Sequence, residues 1–195
     1  MSSTLPTPPI LNSLTELFYA DLAELGKFEE VSSDVMARDY RMLLAHRDHM
    51  TVTVERYHNC PVNLEVVEAV SDGHHYARKI LLRRQSDNAV VQFGIVRIDF
   101  RYVADDVRTQ IESKSTPLGR ILINHNVLRD VHLGALWRVT PGPDLQRHFG
   151  LSDPVVTYGR TALIECDGQP AIELLEIVAP LAEILEGLGL QSNAD

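Results

Sequence analysis

Cysteine is scarce in this chain, with Cys60 and Cys166 its only two in 195 residues. Two thiols cannot build a disulfide framework or a multi-cysteine zinc site, so they read as reduced thiols of a cytoplasmic protein, with one bridge left open. Long apolar runs are missing as well. None approaches the roughly 18 residues that a membrane span needs. The opening stretch MSSTLPTPP has neither the basic segment nor the apolar segment of a signal peptide. The expectation is a soluble chain with no membrane partner. Basic residues are in deficit, 18 Lys and Arg against 27 Asp and Glu, a net charge of −9. That balance lacks the electrostatic footprint of a general nucleic-acid binder. It leaves a small anionic ligand open, because a pocket is governed by its few local charges.

What is present is ordinary globular usage: 45% apolar and 23% charged residues. A chain of this length buries roughly 70% of its unfolded surface, enough for a core with an internal pocket. Residues 1–9 read as a frayed Pro/Ser/Thr leader, and 10–195 as one domain. The common nucleotide and hydrolase signatures do not occur. There is no P-loop, no G-x-S-x-G elbow and no H-E-x-x-H, and Gly187 and Gly189 sit in a tail rather than after a strand. The eight histidines form no ligand set. His46 and His49 read as a solvated helix end, and His74 and His75 as adjacent strand residues facing opposite ways, so no metal is expected.

Periodicity predicts the elements. Ile10, Leu11, Leu14, Leu17, Phe18, Leu22 and Leu25 recur at helical spacing, with Ser13 and Glu16 as a capping box and Gly26 as the stop. A second helix is expected from about Asp34 to Ala45. The β-branched run Thr51–Val54 reads as strand, as do 62–66, 74–84, 89–102 and 127–139. Asp105–Glu112 reads as a short helix. Thr116 and Pro117 open a helix over Leu118–Ile123, and Asp144–Phe149 forms one or two turns. Strands 155–166 and 169–178 join at Asp167-Gly168, a strong hairpin signal. Leu181–Leu190 reads as a closing helix. Short turns between consecutive strands argue for an α+β domain built on a largely antiparallel sheet flanked by helices.

Two charges stand out. Arg78 shares a strand face with Tyr76, Ile80 and Leu82, and Glu176 interrupts the apolar run Leu174–Val178. A charge inside a packed interior is costly unless it is paired or matched by a ligand. An exposed face or a structural ion pair between the two would explain them. A pocket would too, with a cation for a carboxylate and a carboxylate for a hydroxyl.

The ordered set 76–82 (YARKILL), 116–120 (TPLGR), Arg129-Asp130, Gly159-Arg160 and Gly168-Gln169-Pro170 leading to Glu176 resembles the chorismate pyruvate-lyase family, over roughly residues 35–180. The 137–149 segment is similar to the divergent branch of that family. The resemblance implies a chorismate lyase-like fold, with the ligand enclosed beneath helical flaps. It also implies conversion of chorismate to 4-hydroxybenzoate and pyruvate without metal or organic cofactor, for quinone or aromatic polyketide biosynthesis. By that resemblance Arg78 grips the ring carboxylate, the backbone of Leu118 contacts the same group, Glu176 meets the ring hydroxyl, and Arg160 is a weaker candidate for the pyruvyl carboxylate. Such an elimination needs no nucleophile, because the driving force is aromatisation; the protein holds the conformer and stabilises the departing enolpyruvate.

The segment 91–99 departs from the family's pattern, and Arg97 is a candidate to compensate. An insertion before Val155 and a tail after Pro180 are further departures, which leaves the anchor of a second carboxylate open. Two alternatives stand beside the lyase. One is a non-catalytic module of the same fold that binds small aromatic or organic acids, as in effector-sensing domains of bacterial transcription regulators. Against it, the roughly 45 residues before the first expected strand are neither basic nor of helix-turn-helix form. The other is a lyase or hydrolase acting on a related acid. A monomer or small homo-oligomer is expected, with no nucleic-acid partner.

Overall fold

Most of the expected strand segments are strands in the structure, several of them ten residues long. In the computed structural model, which describes residues 10–127 and 129–181, these include β2 (Val62–Ser71), β3 (His75–Arg84), β4 (Val90–Asp99) and β7 (Gln169–Val178). With β1 (Gly26–Val31), β5 (Arg129–Pro141) and β6 (Thr157–Cys166) they form one antiparallel sheet in the order β1-β5-β6-β7-β4-β3-β2. The α+β class expected from the order of elements is the class observed. The Asp167-Gly168 hairpin is present, both residues at positive φ (50° and 77°), as a tight turn matched to strand twist requires. The leader and most of the tail helix expected over 181–190 lie outside the described residues.

Among the described residues, six helices cover the sheet. Arg38–Leu44 (α2), Met50–His58 (α3), Asp105–Glu112 (α4) and Leu118–Asn124 (α5) lie on the face that carries Tyr76, Arg78, Ile80 and Leu82. Leu11–Thr15 (α1) and Pro143–Phe149 (α6) cover the opposite face. Each face therefore carries apolar side chains, and β3 and β4 are buried almost throughout.

Three core clusters result. Val107, Ile111, Leu118 and Leu122 pack with Val96, Ile98, Ile172 and Leu174. Tyr40, Leu44, Met50 and Val54 pack on Ile80, Leu82, Val91 and Val178. On the far face, Leu14, Leu25 and Leu145 meet Leu81, Phe93, Ile95 and Leu175. Full burial of each such side chain contributes about 1.5–3 kcal/mol. The first two clusters share one face of the sheet, and the cavity described below lies where they meet.

Three element expectations are corrected. Thr51–Val54 is helix, within α3, because Met50, Thr51 and Val54 are buried one turn apart and Asn59 ends the helix in the left-handed conformation (φ 46°). Burial outweighs the β preference of Thr and Val here. The first expected helix ends at Thr15. Gly26 opens strand β1 rather than closing a helix; its φ is +154°, and a Cβ there would meet the Thr140 carbonyl oxygen at 2.5 Å. β1 escaped the sequence reading because Lys27, Glu29 and Glu30 give an edge strand a polar pattern.

The far face carries a buried polar clasp. Tyr19 donates to Asp144 at 2.5 Å. Lys79 lies 3.6 Å from Asp144 and 3.3 Å from Glu68. This ties the segment after α1 and the first turn of α6 to strand β3. Burial raises the Tyr19 phenol well above its ordinary range, and the hydrogen bond to Asp144 adds to that.

Candidate functional site

Strand register sets the site. Ile80, Gly94, Glu176, Arg160 and Leu136 form one row across β3, β4, β7, β6 and β5. Arg78, Val96, Leu174, Ala162 and Leu133 form the next row on the same face. Arg78 and Glu176 are thus two strands and one side-chain step apart, roughly 12 Å between Cα atoms from ordinary strand spacing and rise. They do not pair with each other.

Glu176 instead accepts from Arg160 Nε at 2.7 Å, with side-chain exposures of 9% and 1%. The rest of the Arg160 guanidinium turns to the connection between α2 and α3. It donates to the carbonyls of His46 at 2.9 Å, Asp48 at 3.1 Å and Leu44 at 3.4 Å. His46 Nδ1, 3.3 Å from Arg160, also accepts from the Asp48 N–H, which assigns the ring proton to Nε2, 2.7 Å from the Leu43 carbonyl oxygen. Arg160 is therefore fully engaged by protein groups. It pins the α2–α3 connection to the sheet.

Arg78 has the opposite character. Its side chain is fully buried and makes one hydrogen bond, a long one of 3.4 Å to the Ile111 carbonyl. Its Nε and second terminal nitrogen make no well-formed hydrogen bond; the buried hydroxyl of Tyr76, two residues away on the same face, is near enough to interact with the guanidinium but brings no charge to it. Burial presses the guanidinium below its ordinary pKa and raises that of the Tyr76 phenol. A cation held this way is costly, by several kcal/mol even after relaxation, and its free donors match a carboxylate or other planar anion.

Between the sheet and the helices is a cavity of about 30 Å³, room for one or two waters. Gly94 lies on its floor, Arg160, Glu176 and Gln92 rise from the sheet, and Leu118 and His49 close it from the helical side. The structure thus brings together three of the four residues singled out from sequence. Arg78 is outside the lining, although Ile80 and Val96 beside it are part of it. A ring-sized ligand that reached Arg78 would require the helical cover to move outward.

Sequence reasoning missed two polar groups here. Gln92 is 2% exposed and His49 8% exposed, and Gln92 Oε1 and His49 Nε2 lack partners. His49 is not on a solvated helix end as expected. Desolvation, with a smaller effect from Arg129, lowers its pKa to about 4. A lone glutamine within the apolar run 90–96 was the available signal for Gln92. Arg97, the candidate for a second anchor, is on the opposite face, paired with Glu173 and donating to the Ser13 carbonyl. Both cysteines are free. Among the described residues no cluster of three or more His, Cys, Asp or Glu is placed to hold a metal, and no helix is long and apolar enough to cross a membrane.

No family model matches the chain, and comparison with curated proteins gives no match. Solved structures similar to it include PhnF from Mycobacterium smegmatis, at 6% identity over 67% of this chain and 63% of that one, TM-score 0.47. Another is the possible transcriptional regulator YydK from Bacillus subtilis subsp. subtilis str. 168, at 10% identity over 62% and 59%, TM-score 0.43. A third is the PhnF C-terminal domain, at 10% identity over 63% and 85%, TM-score 0.43. The matched region is less than two thirds of the first two chains.

The enzyme assignment finds no support among these structures, which are PhnF and a possible transcriptional regulator and not the chorismate pyruvate-lyase that the sequence resemblance implied. Of the residues that the resemblance assigned to a ligand, Glu176 is held by Arg160, and Arg160 is bonded to Glu176 and to backbone carbonyls.

Proposed function

We propose that this chain is a small-organic-acid-binding module of the chorismate lyase-like fold, which holds its ligand beneath α2–α5 without turning it over. The observation that carries this reading is Arg78: completely buried, short of hydrogen bonds, and without an ion pair among the described residues. A ligand carboxylate at Arg78 would supply the missing acceptors and charge. The ring or chain of the ligand would extend past Val96 and Ile80 into the cavity beside Leu118, toward Glu176. Arg160 serves there as a positioning residue for Glu176 and for the α2–α3 connection, rather than as a ligand contact.

Calorimetric titration with a panel of aromatic and aliphatic monocarboxylates tests the reading, on wild type and Arg78→Met. We expect saturable 1:1 binding of at least one acid, weakened 30-fold or more by the substitution, since charge-assisted contacts of this kind contribute about 2–3 kcal/mol. Neutral amide analogues of the same acids should not bind. Acid binding that survives Arg78→Met intact would sink the assignment of the anchor.

A further inference from the structure

We propose that the outer face of the α2–α3 hairpin is a docking surface for an acidic segment of a partner protein. The carboxylates of that segment would meet Arg38, Arg41 and Arg56, and its apolar side chains would cover Val35 and Met42. The first support is the state of the arginines. The chain has a net charge of −9, yet Arg38, Arg41, Arg47 and Arg56 are exposed and have no ion pair among the described residues. The exposed arginines outside the hairpin, Arg101, Arg120 and Arg147, each pair with a carboxylate. Carboxylates are present on the hairpin, but none engages these four guanidiniums. Asp39 accepts from the Tyr57 hydroxyl at 3.2 Å, and Glu55 is held by Arg120 and by the Val62 N–H. Asp34 lies on the turn before α2, and Asp48 is exposed at the tip beside Arg47. The Asp39–Tyr57 contact sets the first turn of α2 beside the last turn of α3, which brings Arg38 and Arg56 to the same end of the hairpin. Each free guanidinium presents five donors in a planar fork that matches a carboxylate.

The second support is apolar exposure at the same place. Val35 is 67% exposed and Met42 49% exposed, one turn before and one turn after Arg38. No lysine occurs from 32 to 58. Arginine and methionine with little lysine is the composition of protein interfaces, and buried arginines are among their strongest contacts. The backbone beneath is already fixed. Arg160 bonds the carbonyls of Leu44, His46 and Asp48 from the sheet side, so docking does not have to order the connection between the helices. A short acidic segment fits this patch better than a nucleic acid or an anionic bilayer does. Charges are screened over about 8 Å at physiological salt, so a short segment meets the arginines alone. An extended polyanion would continue past the hairpin and meet the acidic remainder of the molecule.

Fluorescence anisotropy with a labelled fourteen-residue peptide of glutamate and leucine at helical spacing tests this, at about 0.05, 0.15 and 0.5 M salt. The same peptide with glutamine for glutamate, a short DNA duplex and phosphatidylserine vesicles are measured beside it. We expect saturable 1:1 binding of the acidic peptide at the two lower salt concentrations, at least tenfold weaker at the highest, and no binding of the glutamine peptide. Arg38→Glu with Arg41→Glu should weaken the acidic peptide at least tenfold, and Met42→Ser should weaken it at fixed salt, with circular dichroism and thermal unfolding confirming the fold. Lys114→Glu, which removes an exposed cation outside the hairpin, should leave binding unchanged. An acidic peptide that does not bind at any salt concentration overturns the proposal. So does binding that survives the double substitution, or that Lys114→Glu weakens equally. Tighter binding of the duplex or of the vesicles than of the peptide overturns the choice of partner. Each of these results leaves the acid-binding reading standing, because the cavity lies on the inner side of the same helices.

Discussion

Glu176 and Arg160 are direct cross-strand partners, joined at 2.7 Å in a nearly dry environment, while Arg78 on the same face has no carboxylate partner. The two positive charges are therefore in opposite states, one saturated and one waiting. Breaking the saturated pair should be costly. Arg160→Met removes five contacts of the guanidinium and strands Glu176, so a loss of about 3–5 kcal/mol is expected from urea unfolding. Glu176→Gln leaves Arg160 its carbonyls and keeps an acceptor, so its cost should be smaller, about 1–2 kcal/mol. Equal, small effects would show that the pair is solvated rather than buried.

Arg78→Met should behave in the reverse way. Removing an uncompensated buried cation while keeping an apolar stem of similar length is expected to leave the ligand-free protein as stable as wild type, or more stable by about 1–4 kcal/mol. Ligand binding should be lost in the same variant. A stability loss of several kcal/mol would mean that Arg78 is satisfied by protein groups after all, and that its role is structural.

Stability should fall as pH drops from about neutral to 4. Burial lowers the folded-state pKa of His49 and of His58 to about 4, and those of His46 and His148 below the ordinary value. The unfolded chain protonates these rings near 6.5, so between 6.5 and 4 it binds more protons than the folded protein. Their contribution is complete above 6.5 and declines through that window. His49 alone accounts for up to about 3 kcal/mol. A further loss follows at lower pH, because Arg84 beside Asp87 and Arg101 beside Asp99 hold those carboxyls below the usual range. Urea midpoints at pH 7, 5.5 and 4.5 check the sign, and His49→Leu should flatten the upper part of the curve. A midpoint that rises on acidification would contradict the burial of these rings.

Tyr19→Phe should loosen the clasp on the far face. It deletes the 2.5 Å hydrogen bond to Asp144 and leaves that carboxylate to Lys79 and Arg147. A cost of about 1–2 kcal/mol is expected, with hydrogen exchange accelerating over 19–25 and α6 before the sheet. Acid binding at Arg78 should be unaffected, because Tyr19 packs on the opposite face of the sheet. Coupled loss of binding would show that the two faces do not act independently.

Much of this architecture was legible in the residues. The apolar, β-favouring stretches within 75–84 and 169–178, with the Asp167-Gly168 turn between 155–166 and 169–178, gave strands and a hairpin because those residue types and that turn specify them locally. Arg78 and Glu176 announced themselves as charges among apolar neighbours. The edge strand β1 and helix α3 did not. Lys27, Glu29 and Glu30 follow solvent rather than core, and Thr51–Val54 carries a strand preference that burial of one helical face overrides.

The sequence by itself determined the class of the fold, the hairpin at Asp167-Gly168, and the presence of two charges that an apolar interior does not tolerate without a reason. Only the tertiary structure decided which of them is satisfied. Strand pairing set Arg160 opposite Glu176 and put Arg78 two strands away, and a guanidinium bonds only what lies within about 3 Å of it. The same register placed Gln92 beside that row, and the packing of α3 over it brought His49 in from a helix end that reads as solvated in one dimension. Local pattern fixes which way a side chain faces; the partner it meets there depends on residues 16 to 116 positions away, and on the folded geometry that brings them together.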